Sequence, residues 1–373
     1  MKKLLVIAVA LASVNAFATR ARVNALGNSP HLIDTTTVYS NPADMFFVGG
    51  DYVTAEAGVG NNGSSGDLTN TRTGQNNAEG MVVRSWGDAK AGLSIGHLSP
   101  LSTQMRGVAV QSSLLPGATN YLQQNPVGLA YGMKAGDLAW GAMFNYSNYA
   151  SKVVPNEKET SMSVTGGFRM GAMDGRIGLG LGNTYQNDNA KFTGTMGITG
   201  AFGMWLDTTY LAANIVSAGF KVENAAGTET GKYAQTSYGI SATNSVKKEG
   251  SEFFYGIGLQ NKEEKSTNIP TAGPESTSTQ LSVPVSLGLE VDALTWLVLR
   301  GSVTQSIPIV GSSKTSSSAA TTVDSGPGSN NTSFAAGAGL KFNRISIDGT
   351  MLSGTQTYGT NNLLGQVGMT YMF

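Results

Sequence analysis

Apolar and polar residues alternate with a period of two along most of the chain after residue 50. The pattern recurs at 177–182, 334–342 and 363–373. In another such stretch, one face carries Leu281, Val283, Val285, Leu287 and Leu289, and the residues between them are mostly small or polar. A period of two predicts β-strands, and no stretch repeats every 3.6 residues as an amphipathic helix does. The sequence therefore predicts an all-β fold.

The connections between these strands alternate in length. Seven short turns are expected near residues 88, 136, 173, 208, 248, 292 and 343. Eight long polar segments are expected at 60–79, 99–125, 150–158, 187–194, 222–231, 261–277, 306–331 and 354–361. These connections join about sixteen strands, or fourteen if one weak hairpin is misread. An even number of strands, with short turns at one end and long loops at the other, predicts a transmembrane antiparallel β-barrel of the outer membrane.

The polar faces of the predicted strands are mostly Gly, Ser, Thr and Asn with isolated charges, which suits a wet lumen. The residues predicted to face the lumen are Arg169, Arg176, Ser286 and Lys341. A soluble β-sandwich is the structural alternative, but its exposed faces would be rich in Lys and Glu. Aromatic residues near strand ends predict girdles at the two membrane interfaces: Trp86, Trp140, Tyr146, Trp205, Tyr210, Trp296, Tyr371 and Phe373.

Composition excludes several kinds of chemistry. Among 373 residues there is no cysteine, so disulfides, thiolate metal sites and cysteine nucleophiles are absent. The 24 acidic and 24 basic residues balance, and no basic patch with stacking aromatics predicts nucleic-acid binding. The two histidines are His31 and His97, and the pairing of His97 with Ser99 lacks a third catalytic group. We therefore expect no enzyme activity, no metal and no cofactor.

The N-terminus predicts export and a three-part chain. Residues 1–18 combine two lysines, an apolar stretch and the cleavage pattern Ala16-Phe17-Ala18, which is typical of a signal peptide. Residues 19–50 are too apolar for a free periplasmic tail, so we expect them to pack in the lumen. Residues 51–373 form the predicted barrel.

Two stretches resemble known families. The ending, with Tyr371 and Phe373 on alternating positions, resembles the C-terminal signal read by the barrel assembly machinery, and this implies that machinery as a partner. The stretch from Ala21 to Ala43 resembles the N-terminal region of the FadL-like long-chain fatty-acid transporters, where the segment folds inside the barrel as a hatch. This resemblance implies that Asn41, Pro42 and Ala43 are a hatch motif. The alternative is that residues 38–48 form a further strand or the start of the first strand.

Three functions remain open at this stage. A porin-like passive channel for small solutes fits the small, polar inner faces. FadL-like transport of hydrophobic compounds fits the Asn41-Pro42-Ala43 segment, and a plugged structural or surface-interaction barrel fits the long loops. Expected partners are outer-membrane lipids, lipopolysaccharide and small solutes, with no nucleic acid; a homo-oligomer is left open.

Overall fold

The computed structural model describes residues 19–57, 78–98, 125–150, 157–268, 275–316, 321–325, 331–354 and 366–373. The predicted signal peptide, Ser99 and most residues of four predicted long loops, 60–79, 99–125, 150–158 and 354–361, lie outside these ranges. The described chain begins with the helix α1 (Arg20–Ala25) and two short 3₁₀ turns, Thr37–Tyr39 and Pro42–Phe46. No helix within the described ranges is both long enough and apolar enough to cross a membrane.

The strand segments follow in chain order. They are β1 (Tyr52–Ala57), β2 (Ala78–Trp86), β3 (Ala89–Ile95), β4 (Val127–Ala135), β5 (Leu138–Ala150), β6 (Lys158–Met170), β7 (Met173–Gln186), β8 (Ala190–Gly194), β9 (Gly197–Leu206), β10 (Thr209–Asn224), β11 (Glu229–Lys248), β12 (Ser251–Asn268), β13 (Glu275–Leu294), β14 (Leu297–Ser316), β15 (Thr321–Ser325), β16 (Asn331–Phe342), β17 (Ile345–Gly354) and β18 (Gln366–Met372).

The segments form one closed antiparallel barrel. β1 pairs with both β2 and β18, so the sheet has no free edge between its first and last strands. β8 and β9 both pair with β7 and β10, and together they form one interrupted strand. β15 and β16 both pair with β14 and form another. The eighteen segments therefore make sixteen strands, which confirms the prediction.

The short turns lie within three residues of their predicted positions, whereas four predicted loops are wrong in extent. Within the predicted loop 261–277, β12 continues to Asn268 and β13 begins at Glu275. Within the predicted loop 306–331, β14 continues to Ser316 and β15 occupies Thr321–Ser325. β8 occupies Ala190–Gly194 inside the predicted loop 187–194. The predicted loop 222–231 shrinks to residues 225–228, because β10 continues to Asn224 and β11 begins at Glu229. Backbone hydrogen bonds between neighbouring strands do not require apolar side chains. The strands therefore extend beyond the alternating apolar stretches that predict them.

The two faces of the barrel differ sharply in polarity. On β13, Leu287 and Leu289 are 52% and 45% exposed on the outside, whereas Gly288 and Glu290 are buried. On β18, Val367, Met369 and Tyr371 are exposed, and Gln366, Gly368 and Thr370 point inward and are buried. An apolar outer surface on a closed barrel of sixteen strands locates the protein in the outer membrane.

Two of the predicted girdle aromatics lie inside the barrel instead. Tyr210 is buried and donates its hydroxyl to Asp174 at 2.8 Å, and Trp205 lies 5.8 Å from the ring of His31. Gly203, directly across from β10, leaves room for the Tyr210 ring. Position near a strand end therefore did not decide the face, because the alternation along β9 and β10 turns both residues inward.

The strand faces generate a first prediction, on β13. Leu287→Arg should destabilise the inserted barrel by about 2–4 kcal/mol, because it places a charge against lipid near mid-strand. Ser286→Arg, one residue away on the inward face, is the matched control and should change stability little. Urea-dependent folding into lipid vesicles measures both. A larger loss for Ser286→Arg than for Leu287→Arg would mean that the faces are reversed.

Candidate functional site: the inner wall and the N-terminal segment

Residues 19–48, here called the N-terminal segment, contact the inner wall on several sides of the barrel. α1 packs against β14, β16, β17 and β18, whereas the 3₁₀ turn Pro42–Phe46 packs against β4, β5 and β6. Because these strands lie in different parts of a closed ring, the segment crosses the interior. Its apolar residues Val38, Tyr39 and Met45 form a buried cluster with inward residues of β1, β2, β4 and β5. The alternative that residues 38–48 form a strand is wrong.

A chain of alternating buried charges fixes α1 to the wall. The Arg22 guanidinium donates to both carboxylate oxygens of Glu290 on β13, at 2.8 and 3.0 Å. Arg300 on β14 donates to the same Glu290 at 2.5 Å and to Asp348 on β17 at 2.5 Å. Thr19 then donates its hydroxyl to Asp348 at 3.3 Å. Two guanidinium groups and two carboxylates thus neutralise one another where water is excluded.

Glycines on β16 allow this close approach. A Cβ atom at Gly337 would lie 2.6 Å from the Cβ of Ala25, and one at Gly339 would lie 2.6 Å from both Arg300 and Asp348. These distances are well inside normal contact, so a larger residue at either position would displace α1 or the ion pair. The run of small inward residues on β16 is therefore needed for docking of the segment.

The middle and end of the segment have their own polar anchors. His31 contacts Glu252 on β12 at 3.1 Å through Nε2 and Ser29 at 2.9 Å through Nδ1, and it packs edge-on against Phe254. Asp44 accepts a hydrogen bond from Arg169 on β6. The ammonium of Lys90 on β3 donates to the carbonyl oxygens of Met45, Gly49 and Gly50, at 2.8 to 3.1 Å. The segment is therefore held at several points around the ring.

A further polar cluster binds the start of α1. The Arg20 guanidinium lies 2.6 Å from Glu79 on β2 and 2.9 Å from His97 Nδ1, and its backbone N–H donates to Glu56 on β1 at 2.9 Å. The His97 ring stacks on Tyr39 with their centroids 3.5 Å apart. Both histidines, His31 and His97, thus contact carboxylates that face the N-terminal segment.

The Asn41-Pro42-Ala43 turn lies against β5 and β6. Asn41 caps the following 3₁₀ turn by accepting from the Ala43 N–H at 3.3 Å, and its side-chain amide donates to the Phe168 carbonyl at 3.4 Å. Gly167 leaves the space that the Asn41 side chain fills, and a Cβ at Gly141 would lie 2.8 Å from the Pro42 carbonyl carbon. Pro42 presets its own backbone angle, which stiffens the turn.

The four residues predicted to face the lumen lie on inward positions but in different surroundings. Arg169 bridges Asp44 and Asp174, and Arg176 lies two residues further along β7 from Asp174, half-buried on the same face. Ser286 lines an open cavity. Lys341 lies at the turn end, where it pairs with Asp292 at 2.9 Å.

The two residues of the predicted assembly signal lie at the closing seam of the barrel. Tyr371 and Phe373 are exposed on the outer face, with their rings stacked at 6.2 Å, next to the strand pair β1 and β18. This position is compatible with recognition by the assembly machinery, which stays a prediction.

The residues that matter most for docking were not predicted as site residues. They are Arg22, His31, Glu252, Glu290, Arg300 and Asp348. The members on the barrel wall share one sequence signal, a charged residue at an inward position of a strand whose other inward residues are mostly uncharged. Such a charge needs a partner in a low-dielectric lumen, but the sequence does not say which one.

Burial of Asp34 makes the segment sensitive to pH. Desolvation raises the pKa of the Asp34 carboxyl to about 6, although Arg22 and hydrogen bonds from Thr36 and Thr37 oppose the shift. Asp34 Oδ1 accepts from the Thr36 N–H at 2.7 Å and from the Thr37 N–H at 3.2 Å. Since the docked state binds this proton more tightly than the free segment does, docking gains stability as the pH falls through 6.

Beside the N-terminal segment lies a cavity of about 340 Å³. The turn Gly27–Pro30 borders it on one side, and residues of β10–β14 and β16 border it on the others. Gly27 takes a left-handed conformation with φ of 67° and fits against Thr304 and Ser302. Part of the lumen beside the segment is therefore open space.

No protein-family model matches this chain. No curated protein sequence matches it either. Among solved structures, it is similar to a bacterial polysaccharide outer membrane secretin, with a TM-score of 0.41 and 8% identity over 87% of this chain and 97% of that one.

Two further similar structures are a porin and the translocator domain of the autotransporter NalP from Neisseria meningitidis. The porin has a TM-score of 0.38 and 8% identity, covering 87% of this chain and 99% of its own. The translocator domain has a TM-score of 0.34 and 10% identity, covering 91% of this chain and all of its own. At this level of similarity they carry no functional argument.

The buried charge chain generates a second prediction. Glu290→Gln leaves Arg22 and Arg300 buried without full compensation, which costs about 3–5 kcal/mol of docking free energy. A thiol placed at fully buried Val38, in a chain without cysteine, should then react with maleimide about a hundredfold faster or more. Asp292→Asn is the control, because it removes a carboxylate from an exposed pair worth about 0–1 kcal/mol. Equal labelling in the two variants would contradict the docking role of Glu290.

Asp34 generates a third prediction. Asp34→Asn keeps an acceptor for Thr36 and Thr37 but removes the buried charge. Because burial raises the Asp34 pKa from 3.8 to about 6, the Val38→Cys reporter should label more slowly than in the parent at pH 7, by about a hundredfold. At pH 4.5 the difference should shrink to about fivefold, because the docked carboxyl is then protonated while the free one is still mostly ionised. Dividing the labelling rate of the parent by that of the Asp34→Asn variant at each pH cancels the titration of the thiol. A ratio that does not change with pH would show that Asp34 does not control docking.

Proposed function

We propose that this protein is a passive outer-membrane channel for small solutes, whose bore the N-terminal segment narrows. The observation that carries the proposal is the combination of a small, polar inner wall with an open cavity beside a firmly anchored segment. Gly239, Ser241 and Thr243 on β11 face inward there, as do Gly256 and Gly258 on β12. The inward side chains of such a wall are small or polar, so the wall wets readily.

The strength of the anchoring supports a fixed constriction rather than a freely moving lid. The segment buries Arg22, His31 and Asp44 against the wall, and each of them pairs with a wall residue of opposite charge or a carboxylate. Undocking exposes the apolar cluster around Val38 and breaks several buried ion pairs together. Solutes therefore pass beside the segment in this proposal.

Transport of hydrophobic compounds, as in FadL-like proteins, is the second candidate. It is favoured by an apolar cluster on the inner face of β7, β8, β10 and β11, which contains Tyr185, Phe192, Phe220, Val222 and Tyr233. Each of these side chains is buried, and the rings pack on one another at 4.7 to 5.3 Å. The cluster therefore presents little open apolar surface to a ligand, and we rank this function lower.

Conductance and solute uptake test the channel proposal. The full mature chain should give small, steady single-channel currents in a planar bilayer and should admit glucose into proteoliposomes. Deletion of residues 19–48 should raise the conductance several-fold, and Glu290→Gln, which keeps the whole chain, should give frequent larger openings. Asp292→Asn should behave like the parent.

Two results would contradict the proposal. If the parent passes neither ions nor glucose while the deletion opens strongly, the segment is a hatch for another class of solute. If parent, deletion and Glu290→Gln all stay closed, the barrel is a structural or surface protein.

A further inference from the structure

The cavity beside the N-terminal segment has an unusual lining for a lumen that is elsewhere rich in charge. Its polar side chains include Asn214, Ser241, Thr243, Gln260, Ser286 and Thr304. None of the described residues that line it is Asp, Glu, Lys, Arg or His. Its size of about 340 Å³ lies in the range of small-molecule binding sites.

The charges nearest the cavity face one another instead. Below the turn Gly27–Pro30, His31 pairs with Glu252, and Arg22 pairs with Glu290. Beyond Gln260 on β12, the next inward charges are Lys262 and Glu264, which pair at 2.8 Å. The cavity is therefore a neutral zone between two layers of paired charge.

An ion and a neutral polyol meet this zone differently. An ion that enters gives up part of its hydration shell, and no fixed counter-charge on the wall replaces it. Serine and threonine hydroxyls both donate and accept hydrogen bonds with a freely rotating proton, and the Asn214 and Gln260 amides also do both. The hydroxyls of a carbohydrate can exchange their hydrogen bonds to water for hydrogen bonds to these groups with little loss of free energy.

The cavity also carries the apolar edges that a sugar ring needs. Pro30 on the segment and Pro284 on β13 both line it. Their rings have no N–H to satisfy and can pack against the C–H faces of a pyranose. Polar groups around an apolar edge match the alternating surface of a carbohydrate.

We propose that this cavity selects neutral polyhydroxylated solutes, carbohydrates in chemical class, over ions of the same size. The inference rests on the proposed channel function and specifies its substrate. Selectivity arises from the uncharged lining, so a single charge placed there should reverse it. Ser286 is the position to change, since it lines the cavity and its hydroxyl makes none of the ion pairs that hold the segment.

Proteoliposome swelling with three probes of one size tests this inference. Glucose should enter about tenfold faster than glucuronate, its anionic counterpart with the same pyranose ring, and glucosamine, its cationic counterpart. Ser286→Asp should raise the rate for glucosamine and lower that for glucuronate, and Ser286→Lys should do the opposite. Ser286→Asn has the size of the aspartate variant without its charge, so it should keep the parent order of rates.

The outcomes separate this inference from the channel proposal. If all three probes enter the parent at one rate, the channel stands and the selectivity is wrong. If glucose is favoured but neither charged variant changes the order, selectivity lies elsewhere and the assignment to this cavity is overturned. If no probe enters faster than into empty liposomes, the channel proposal itself fails.

Discussion

The paired charges of Arg22, Glu290, Arg300 and Asp348 determine how the interior of this barrel is arranged. Without Arg22, the wall would hold two buried carboxylates against one guanidinium. Arg22 supplies the missing positive charge from the N-terminal segment, and removal of one member of such a pair is far costlier than its net contribution to stability suggests. The wall therefore specifies both that α1 docks and where it docks.

The need to pair charges inside the barrel follows from its position in the membrane. The outer face of a barrel in lipid must be apolar, so the charged side chains at membrane depth are confined to the inside. Inside, they are either hydrated or paired, and the docked segment excludes water from much of that space. The result is a lumen in which paired charges fix the segment and a neutral, hydroxyl-lined cavity remains beside it. In the proposed channel, the anchoring of the segment and the passage of solutes are thus separated in space.

The sequence predicts the local features of this fold well because they depend on neighbours in the chain. Alternation on β13 and β18, the short turns and the number of strands all follow from a period of two and from turn residues. The sequence predicts poorly the features that depend on contacts between residues far apart in the chain. The pairing of Arg22 with Glu290 joins positions 268 apart, and nothing in either local pattern identifies the other. For Tyr210 and Trp205, by contrast, the alternation along β9 and β10 decides the inward face, and position near a strand end is a poor indicator of it.

The central claim, that the docked segment narrows the channel, is tested most directly by locking it in place. Asn24 and Gln366 touch through their side chains at 2.5 Å, so cysteines at both positions can be joined by a short bifunctional thiol reagent. The measurement is single-channel conductance of the Glu290→Gln variant carrying this pair, before and after cross-linking. The cross-link should form readily and return the large openings to the small conductance of the parent chain. Failure to cross-link, or large openings that persist in the cross-linked protein, would contradict the central claim.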